Sequence, residues 1–211
     1  MSTVVLFSGG LDSTTLAYHA RATWGDPIHL LSCEYGQRHV WELSVAHQLA
    51  AEIVPQTHRT ISVGPKGVGM RSALLGVKGS ITENSSVVPC RNLWFLIAGA
   101  MNADALGSAR VVIGANLDDA ATYRDCRAET IEAQAEACRL ALGWSGEFVA
   151  PFVQMTKRQI VERAVELGCL EQVKRSWSCY APILFGDNWG DFRACDVCPA
   201  CVKRKAALDG L

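Results

Sequence analysis

The chain has 211 residues, of which 49% are apolar and 19% charged, with a net charge of −1; these values fit one soluble globular domain and exclude a disordered chain. The near-neutral charge excludes a strong attraction to nucleic acid or to an anionic membrane, and the longest apolar run, residues 93–101, is too short for the roughly 20 residues that span a bilayer. With no secretory signal in view, we expect a cytoplasmic protein, in which nine cysteines indicate metal ligands, thiol chemistry or buried thiols rather than disulfides.

Strand-like and helix-like segments alternate along the chain. The first half is predicted to hold, in order, a strand at 4–7, a helix at 13–24, a strand at 28–33, a helix at 41–53, a strand at 58–63 and a long loop or mobile flap at 64–86. The second half is predicted to hold a very apolar helix at 92–106, a strand at 110–114, a helix at 127–142, a short strand at 148–151 and a helix at 156–167.

This alternation predicts an α/β fold, with an open parallel sheet and helices on both faces. Thr156 and Gln159 form a predicted capping box at the start of the last helix. We expect residues 1–170 to form the α/β domain and residues 171–211 to form a small segment packed on it. From Ser176 onward this segment is expected to be irregular.

The most informative stretch is SGGLDS at 8–13, between the first strand and the first helix. Glycines allow a tight turn and a close approach of the backbone to a ligand, and the first amides of a helix bind anions, most often phosphate. Ordinary turn and N-cap chemistry is the alternative explanation. The stretch has neither the lysine of G-x-x-x-x-G-K-[ST] nor the spacing of G-x-G-x-x-G.

Three further polar stretches should lie near this turn. EYGQRH at 34–39 and ANLDDAATYRDCR at 115–127 each follow a predicted strand, and VPCRN at 88–92 is expected nearby. Ligands of open parallel sheets bind beyond the carboxyl ends of the strands, so the convergence of these stretches predicts a ligand site. The basic run 203–205 is instead expected to be a solvated face.

The tail carries a C-x2-C-x2-C pattern, with a fourth cysteine sixteen positions before it. Four thiolates at such spacing can close a tetrahedral zinc site, and four protein ligands leave no open position for catalysis. Free, partly buried thiols are the alternative. The predicted ligands are Cys179, Cys195, Cys198 and Cys201. Most of the scattered cysteines, at positions 33, 90, 126, 138 and 169, are expected to be small core residues.

From residue 4 to residue 201 the chain resembles the 7-cyano-7-deazaguanine synthase family of pyrophosphate-loop ATPases. The motifs that carry the resemblance are VVLFSGGLDSTTLA, EYGQRHVWEL, VPCRN, VIGAN, YRDCRAETIEA, WSCY and CDVCPAC. The resemblance implies a Rossmann-like domain with a four-cysteine zinc site, generally dimeric. It also implies an enzyme that uses ATP and Mg²⁺ to adenylate 7-carboxy-7-deazaguanine, and ammonia to convert it through an amide to the nitrile.

The resemblance also implies roles for individual residues. Catalysis would involve Asp12, Ser13, Arg91, Asp119 and Lys157. The nucleotide would be bound by Phe7, Ser8, Gly9, Gly10, Leu11, Asp12, Ser13, Glu34 and Gly114. The deazapurine would be bound by Tyr35, Gln37, Arg38, Arg91, Asn92, Asn116, Asp119, Tyr123, Asp125 and Arg127. Roles without ligand contact remain open for three of these residues. Arg127 would only begin a helix, Asp125 would only cap that helix, and Lys157 would only be solvated.

The chain departs from the family at two places. The family loop D-Y-S-G-Y-P-D-C-R reads DAATYRDCR at 119–127, with Ala120, Ala121, Thr122 and Arg124 replacing family residues. The gap between Cys179 and Cys195 is also longer than usual. Because relatives occur in antiviral defence gene sets, an alternative is an enzyme that joins the activated deazaguanine to a larger amine, such as a protein terminus.

Two other functions remain open from the sequence. A tRNA-modifying pyrophosphate-loop enzyme would need a basic surface, which disfavours it for a chain of net charge −1. A non-catalytic nucleotide- or zinc-binding module is the other alternative.

Overall fold

Five parallel strands form the central sheet of the computed structural model, which describes residues 1–38, 41–64, 72–76, 80–185 and 192–211. These strands are β1 (Thr3–Leu6), β2 (Ile28–Glu34), β3 (Thr57–Ser62), β4 (Arg110–Val112) and β5 (Glu147–Val149). Their order is β3-β2-β1-β4-β5. The chain thus runs outward from β1 in one direction and then returns to build the other half, as in doubly wound sheets.

Helices cover both faces of this sheet. The described helices are α1 (Leu11–Trp24), α2 (Trp41–Ile53), α3 (Arg91–Leu106), α4 (Leu117–Ala120), α5 (Ala128–Leu142), α6 (Lys157–Glu166), α7 (Leu170–Arg175) and α8 (Pro199–Leu208). One face packs on α1, α2, α6, α7 and α8, and the other packs on α3 and α5. The predicted parallel α/β sheet with helices on both faces is confirmed.

Strand β1 shows how the sequence produces two cores. Successive side chains of a strand point to opposite faces. Val4 and Leu6 accordingly lie in the cluster with α3 and α5, whereas Val5 and Phe7 lie in the cluster with α1 and α6. All four are buried, which explains why β1 reads as a continuous apolar run rather than an alternating one.

The predicted elements of the sheet domain are present with ends shifted by a few residues. The capping box of α6 is confirmed: Gln159 N donates to Thr156 Oγ1 at 3.3 Å, and Thr156 N donates to Gln159 Oε1 at 2.9 Å. The short helices α4 and α7 were not predicted. Of the predicted loop at 64–86, residues 65–71 and 77–79 lie outside the described part; the rest includes 3₁₀ turns at Ala73–Leu75 and Asn84–Ser86.

The prediction of an irregular tail is wrong. It contains α8 and an antiparallel pair, β6 (Ile183–Leu184) and β7 (Phe192–Arg193). Proline at the first helical position has a backbone suited to a helix start, and the alanine- and lysine-rich run after it favours helix. The division at residue 170 stays a prediction. In the described part of the chain, no helix is long and apolar enough to cross a membrane.

Candidate active site

A cavity of about 220 Å³ lies at the carboxyl ends of β1, β2 and β4. The strand order reverses between β1 and β4, and a crevice forms where the loops after these two strands turn in opposite directions. The turn after β1 and the segment after β4 both line this crevice, and α8 contributes to its wall. The four polar stretches singled out in the sequence therefore do meet at one place.

The turn between β1 and α1 is held by glycine geometry and by hydrogen bonds. Gly9 has φ +74°, and a Cβ there would lie 2.7 Å from the Cα atom of Ala46. Its carbonyl accepts a 2.9 Å hydrogen bond from Trp177 N. Ser13 Oγ accepts from Ser8 N at 3.2 Å and donates to the Gly10 carbonyl at 3.2 Å. Gly10 caps α1 without a side-chain hydrogen bond in the described structure, which leaves the first amides of α1 for an anion.

A largely buried ion triad, whose side chains are 14–24% exposed, lies directly beside this turn. Lys157 Nζ donates to Asp12 Oδ2 at 2.8 Å and to Asp119 Oδ2 at 2.9 Å. Burial raises the pKa of Asp12, and Lys157 offsets part of the rise. Burial also acts to raise the pKa of Asp119, but Lys157 and Asn116 hold that pKa below its ordinary value. The pKa of Lys157 is raised because the two carboxylates outweigh its burial, so a fixed cation sits next to the anion-binding turn.

Segment 116–119 positions this triad. Asn116 is fully buried and caps α4: its Oδ1 accepts from Asp119 N at 3.0 Å and its Nδ2 donates to Asp119 Oδ2 at 2.9 Å. Asp118 Oδ2 accepts from Lys157 N at 2.8 Å. The start of α6 and the segment after β4 are thereby fixed to each other, and Lys157 cannot move independently of Asp119.

The charges continue from the triad toward the mouth of the cavity. Lys203 Nζ, on α8, lies 3.8 Å from Asp119 Oδ1 and 3.0 Å from Glu83 Oε1. Thr122 Oγ1 donates to the other Glu83 oxygen at 3.1 Å. Positive and negative side chains thus alternate from Asp12, next to the turn after β1, to Glu83.

The other end of the cavity is aromatic and carries one guanidinium. Arg91 Nη1 donates to Tyr35 Oη at 3.3 Å, and the guanidinium lies 5.4 Å from the centre of that ring and 5.9 Å from the Phe95 ring. The buried Nε of Arg91 has no hydrogen-bond partner among the described residues. Tyr123 Oη is 2.7 Å from Ser86 Oγ. A flat ring bearing an anionic group fits these surroundings.

The residues around Asp12 fit a magnesium ion. Among the residues that the structure describes, the buried Oδ1 of Asp12 has no hydrogen-bond partner. Asp118 and Asp119 follow β4 close by, and both carboxylates act on the pKa of Asp12. Mg²⁺ prefers carboxylate, phosphate and water oxygens, so Asp12 and Asp119 are the residues that would hold it.

The four predicted zinc ligands come together in the C-terminal segment. Their sulfur atoms all lie within 4.8 Å of one another, and the Cys195 and Cys201 sulfurs are 4.0 Å apart. Tetrahedral Zn–S bonds of about 2.3 Å require sulfurs about 3.8 Å apart. Hydrogen bonding between Cys179 and Cys198 lowers the pKa of Cys198 and raises the pKa of Cys179, so this pair favours one thiolate, on Cys198. The cluster could hold zinc, and α8 begins directly after Cys198.

Most of the predicted nucleotide and catalytic residues line the cavity. The predicted residues in its wall are Phe7, Ser8, Gly10, Leu11, Asp12, Ser13, Tyr35, Arg91, Asn92, Gly114, Asp119, Tyr123 and Lys157. The predicted residues outside its wall are Gly9, Glu34, Gln37, Arg38, Asn116, Asp125 and Arg127.

Several of the residues outside the wall instead hold the wall in place. Gln37 Oε1 accepts from Tyr35 N at 2.8 Å, and Asp125 Oδ2 accepts from Asn92 N at 2.9 Å, at the start of α3. Arg127 Nε donates to the Ala120 carbonyl at 3.2 Å. Their roles toward a ligand stay predictions.

Arg38 and Glu34 lie away from the wall for different reasons. Arg38 is exposed, and its backbone amide donates to the Leu74 carbonyl. Cys33 and Tyr35 line the cavity whereas Glu34 between them does not, because side chains alternate at the end of β2.

Sequence reasoning missed the part of the wall that comes from the tail. Trp177 and Tyr180 line the cavity, as do Lys203 and Arg204. The expected solvated basic face is wrong for these last two residues; within that run only Lys205 is exposed. Residues 199, 200, 203 and 204 share one helical face, and this periodicity was the signal that could have found them.

The comparisons with known proteins agree with this architecture. The family model for queuosine biosynthesis protein QueC matches residues 2–211. A 7-cyano-7-deazaguanine synthase from Magnetococcus marinus is 35% identical over 97% of this chain and 90% of its own length. Another, from Marinobacter nauticus, is 36% identical over 98% of this chain and 92% of its own length.

A solved structure gives the same result for the fold. The predicted subunit of tRNA methyltransferase from Methanocaldococcus jannaschii has a TM-score of 0.52 at 16% identity, covering 90% of this chain and 82% of that one. This likeness shows the fold alone. The family match and the curated relatives also show the family: the chain is an enzyme of the QueC family, whose curated relatives are 7-cyano-7-deazaguanine synthases.

Proposed function

We propose that the protein is an AMP-forming ligase that makes 7-cyano-7-deazaguanine from 7-carboxy-7-deazaguanine, ATP and ammonia. The observation that carries this proposal is one cavity with two chemically different ends: a phosphate-binding turn with a buried ion triad, and an aromatic slot with a guanidinium. The curated relatives that bear this name cover almost the whole chain.

The first end of the cavity suits the triphosphate. The uncapped amides of α1 offer hydrogen-bond donors to phosphate oxygens. Asp12 and Asp119 would hold Mg²⁺, which supplies positive charge at the phosphates when it is bound with ATP. Lys157 lies between the two carboxylates and adds a cation where negative charge develops on pyrophosphate.

The second end suits the acid. Arg91 is a guanidinium that lies against aromatic rings, with no carboxylate bonded to it in the described part of the chain. The Nη1 of Arg91 donates to the neutral Tyr35 Oη rather than to an anion, so an incoming carboxylate would give this guanidinium a charge-assisted hydrogen bond. Tyr35, Phe95 and Tyr123 would lie against the flat ring.

The reaction balances as two activations. The substrate carboxylate attacks the α-phosphorus of ATP, giving an acyl adenylate and pyrophosphate, and ammonia then displaces AMP to give the amide with loss of a proton. The amide oxygen attacks a second ATP with release of pyrophosphate, and loss of AMP and of both protons of the amide nitrogen leaves the nitrile. The chain's part is to bind both substrates, to exclude water and to bring the carboxylate to the phosphate.

The departures from the family loop do not enlarge the cavity. Ala120, Ala121, Thr122 and Arg124 all lie outside its wall. Arg124 is exposed, and Thr122 bonds to Glu83. These positions therefore give no argument for a larger amine. Of the longer gap between Cys179 and Cys195, residues 186–191 lie outside the described part of the chain.

Product analysis tests the proposal. Purified protein with Mg²⁺, ATP, ammonium and 7-carboxy-7-deazaguanine should yield the nitrile by mass spectrometry, with two AMP and two pyrophosphate per product. Asp12→Asn should abolish pyrophosphate release, whereas Asp26→Asn, an exposed carboxylate beyond the far end of α1, should not. If the wild type releases no pyrophosphate, the proposal is wrong. If the reaction stops at the amide, or needs an amine other than ammonia, the proposed nitrile product is wrong.

We also propose that two copies associate through α3. Trp94, Ile97 and Met101 lie on one face of this helix and are 41%, 39% and 57% exposed. Large apolar side chains in such a stripe typically mark an interface. Light scattering should give twice the 22.8 kDa of the chain, and Ile97→Asp should reduce it to one copy without loss of secondary structure.

A further inference from the structure

Five charged side chains of alternating sign form a row that begins at the turn after β1; four of them line the cavity, and Glu83 lies just outside its wall. They are Asp12, Lys157, Asp119, Lys203 and Glu83, with separations of 2.8, 2.9, 3.8 and 3.0 Å between successive charged atoms. The two lysines come from different parts of the fold, α6 and α8. They differ in how firmly each is held, and this difference decides which one a nucleotide can recruit.

Lys157 is firmly held. Both of its carboxylate partners are within 2.9 Å, and its side chain is only 14% exposed. Because its ammonium is bonded to both Asp12 and Asp119, Lys157 acts on the phosphates from a fixed position and does not move toward a nucleotide. Removing it from them would leave two buried carboxylates without their cation, which is costly.

Lys203 is held much more weakly. Its short contact is to Glu83, whose side chain is 47% exposed, and its contact to Asp119 is 3.8 Å long. Ion pairs with exposed partners contribute little, because water competes for both charges. Lys203 can therefore exchange the Glu83 carboxylate for a phosphate oxygen at small cost, and a lysine ammonium offers three donors to such oxygens.

We infer that Lys203 is a nucleotide-binding residue of this enzyme. When ATP binds, Lys203 gives up its contact with Glu83 and contacts the polyphosphate instead. The inference rests on the proposed nucleotide site and adds a residue to it from the C-terminal segment. Through Lys203 the same helix that begins at the four-cysteine cluster supplies a cation to the phosphates. Positive charge then meets the departing pyrophosphate from α8 as well as from α6.

Glu83 competes with the nucleotide for Lys203. Thr122 Oγ1 donates to Glu83 Oε2 at 3.1 Å and keeps that carboxylate facing α8. Position 122 is one of those at which this chain departs from the family loop, where a glycine offers no hydroxyl. The strength of this competition is thus a property of this chain.

Calorimetric titration with Mg²⁺·ATP and with adenosine tests the inference. Lys203→Met should weaken ATP binding about 10–100-fold, the effect of one charge-assisted hydrogen bond, and should leave adenosine binding unchanged because adenosine has no phosphate. Lys203→Arg should keep most of the ATP affinity. Glu83→Gln and Thr122→Val should each tighten ATP binding, by up to about 5-fold.

The matched control is Lys205→Met, an exposed lysine of the same helix, which should bind ATP as the wild type does. Metal content and thermal midpoint should not change in any of these variants. If the wild type binds ATP and Lys203→Met binds it equally well, or if Lys203→Met loses adenosine and ATP affinity alike, the role of Lys203 is refuted. If the wild type itself binds no ATP, the proposed function fails instead.

Discussion

Replacing Gly9 with alanine should destabilise the protein far more than the same change at Gly10. Gly9 has φ +74°, a conformation that costs an L-residue about 1–2 kcal/mol. Its new Cβ would lie 2.7 Å from Ala46 Cα and 2.8 Å from Ala46 N. These are backbone atoms, so α2 itself must shift, and such overpacking costs about 1–3 kcal/mol. The expected loss is therefore about 2–5 kcal/mol.

Gly10 is the matched control because it precedes the same helix. Its φ of −81° is open to any residue, and a Cβ there would approach Ser8 Oγ at 3.3 Å and the Trp177 carbonyl at 3.4 Å. These contacts are tight but do not require backbone movement. Gly10→Ala should change the free energy of unfolding by less than about 1 kcal/mol.

Urea unfolding followed by circular dichroism measures both variants. With an m-value of about 3 kcal/mol/M, a loss of 3 kcal/mol lowers the midpoint by about 1 M. If Gly9→Ala does not yield soluble protein, Gly9→Asn tolerates positive φ better and isolates the clash with Ala46. Equal midpoints for the Gly9 and Gly10 variants would refute the account of the turn.

Three other changes probe separate parts of the molecule. Arg91→Met should raise the KM for 7-carboxy-7-deazaguanine about 10–100-fold and leave the KM for ATP unchanged; an equal rise in both would contradict the assignment of Arg91 to the acid. Burial lowers the pKa of His58 to about 4, so the unfolded chain, whose histidine titrates near 6.5, binds this proton first. Stability should therefore fall as the pH drops from about 6.5 toward about 4. Between pH 7 and pH 5 the wild type should lose about 1 kcal/mol more free energy of unfolding than His58→Gln does, allowing for the partial exposure of His58. Equal urea midpoints of the two proteins at pH 5 would exclude this contribution of His58. Chelation, or Cys198→Ser, should remove one zinc per chain by elemental analysis and lower Tm by about 5 °C or more; an unchanged metal content in the variant would refute zinc binding at this cluster.

The sheet and the tight glycine turn after its first strand could be predicted because local sequence properties determine both. The strand-forming run at β1 and the glycines after it are adjacent in the sequence, and the order of strands and helices leaves few topologies. Parallel strands also place the loops after β1 and β4 at the same edge. The meeting of Asp12 and Asp119 thus followed from topology without any knowledge of side-chain contacts.

The tail could not be predicted in the same way. The spacing of residues 199, 200, 203 and 204 places them on one helical face, but whether Lys203 on that face is solvated depends on what α8 packs against, which the tail sequence does not contain. The wall residues Trp177 and Tyr180 were recognised only as part of a motif, since their role depends on the contact of Trp177 N with the Gly9 carbonyl. Contacts between residues so far apart in the chain become visible only in the folded structure.

The C-terminal segment completes the cavity, and this has a consequence during translation. Trp177 bonds to Gly9 in the turn after β1, and α8 places a lysine in the cavity. The first strand and its turn leave the ribosome early, yet the chamber lacks a wall until residues 199–204 have also emerged. If the proposed function holds, a nascent chain has no closed site for ATP, and the onset of nucleotide turnover would report that synthesis has passed the last cysteine.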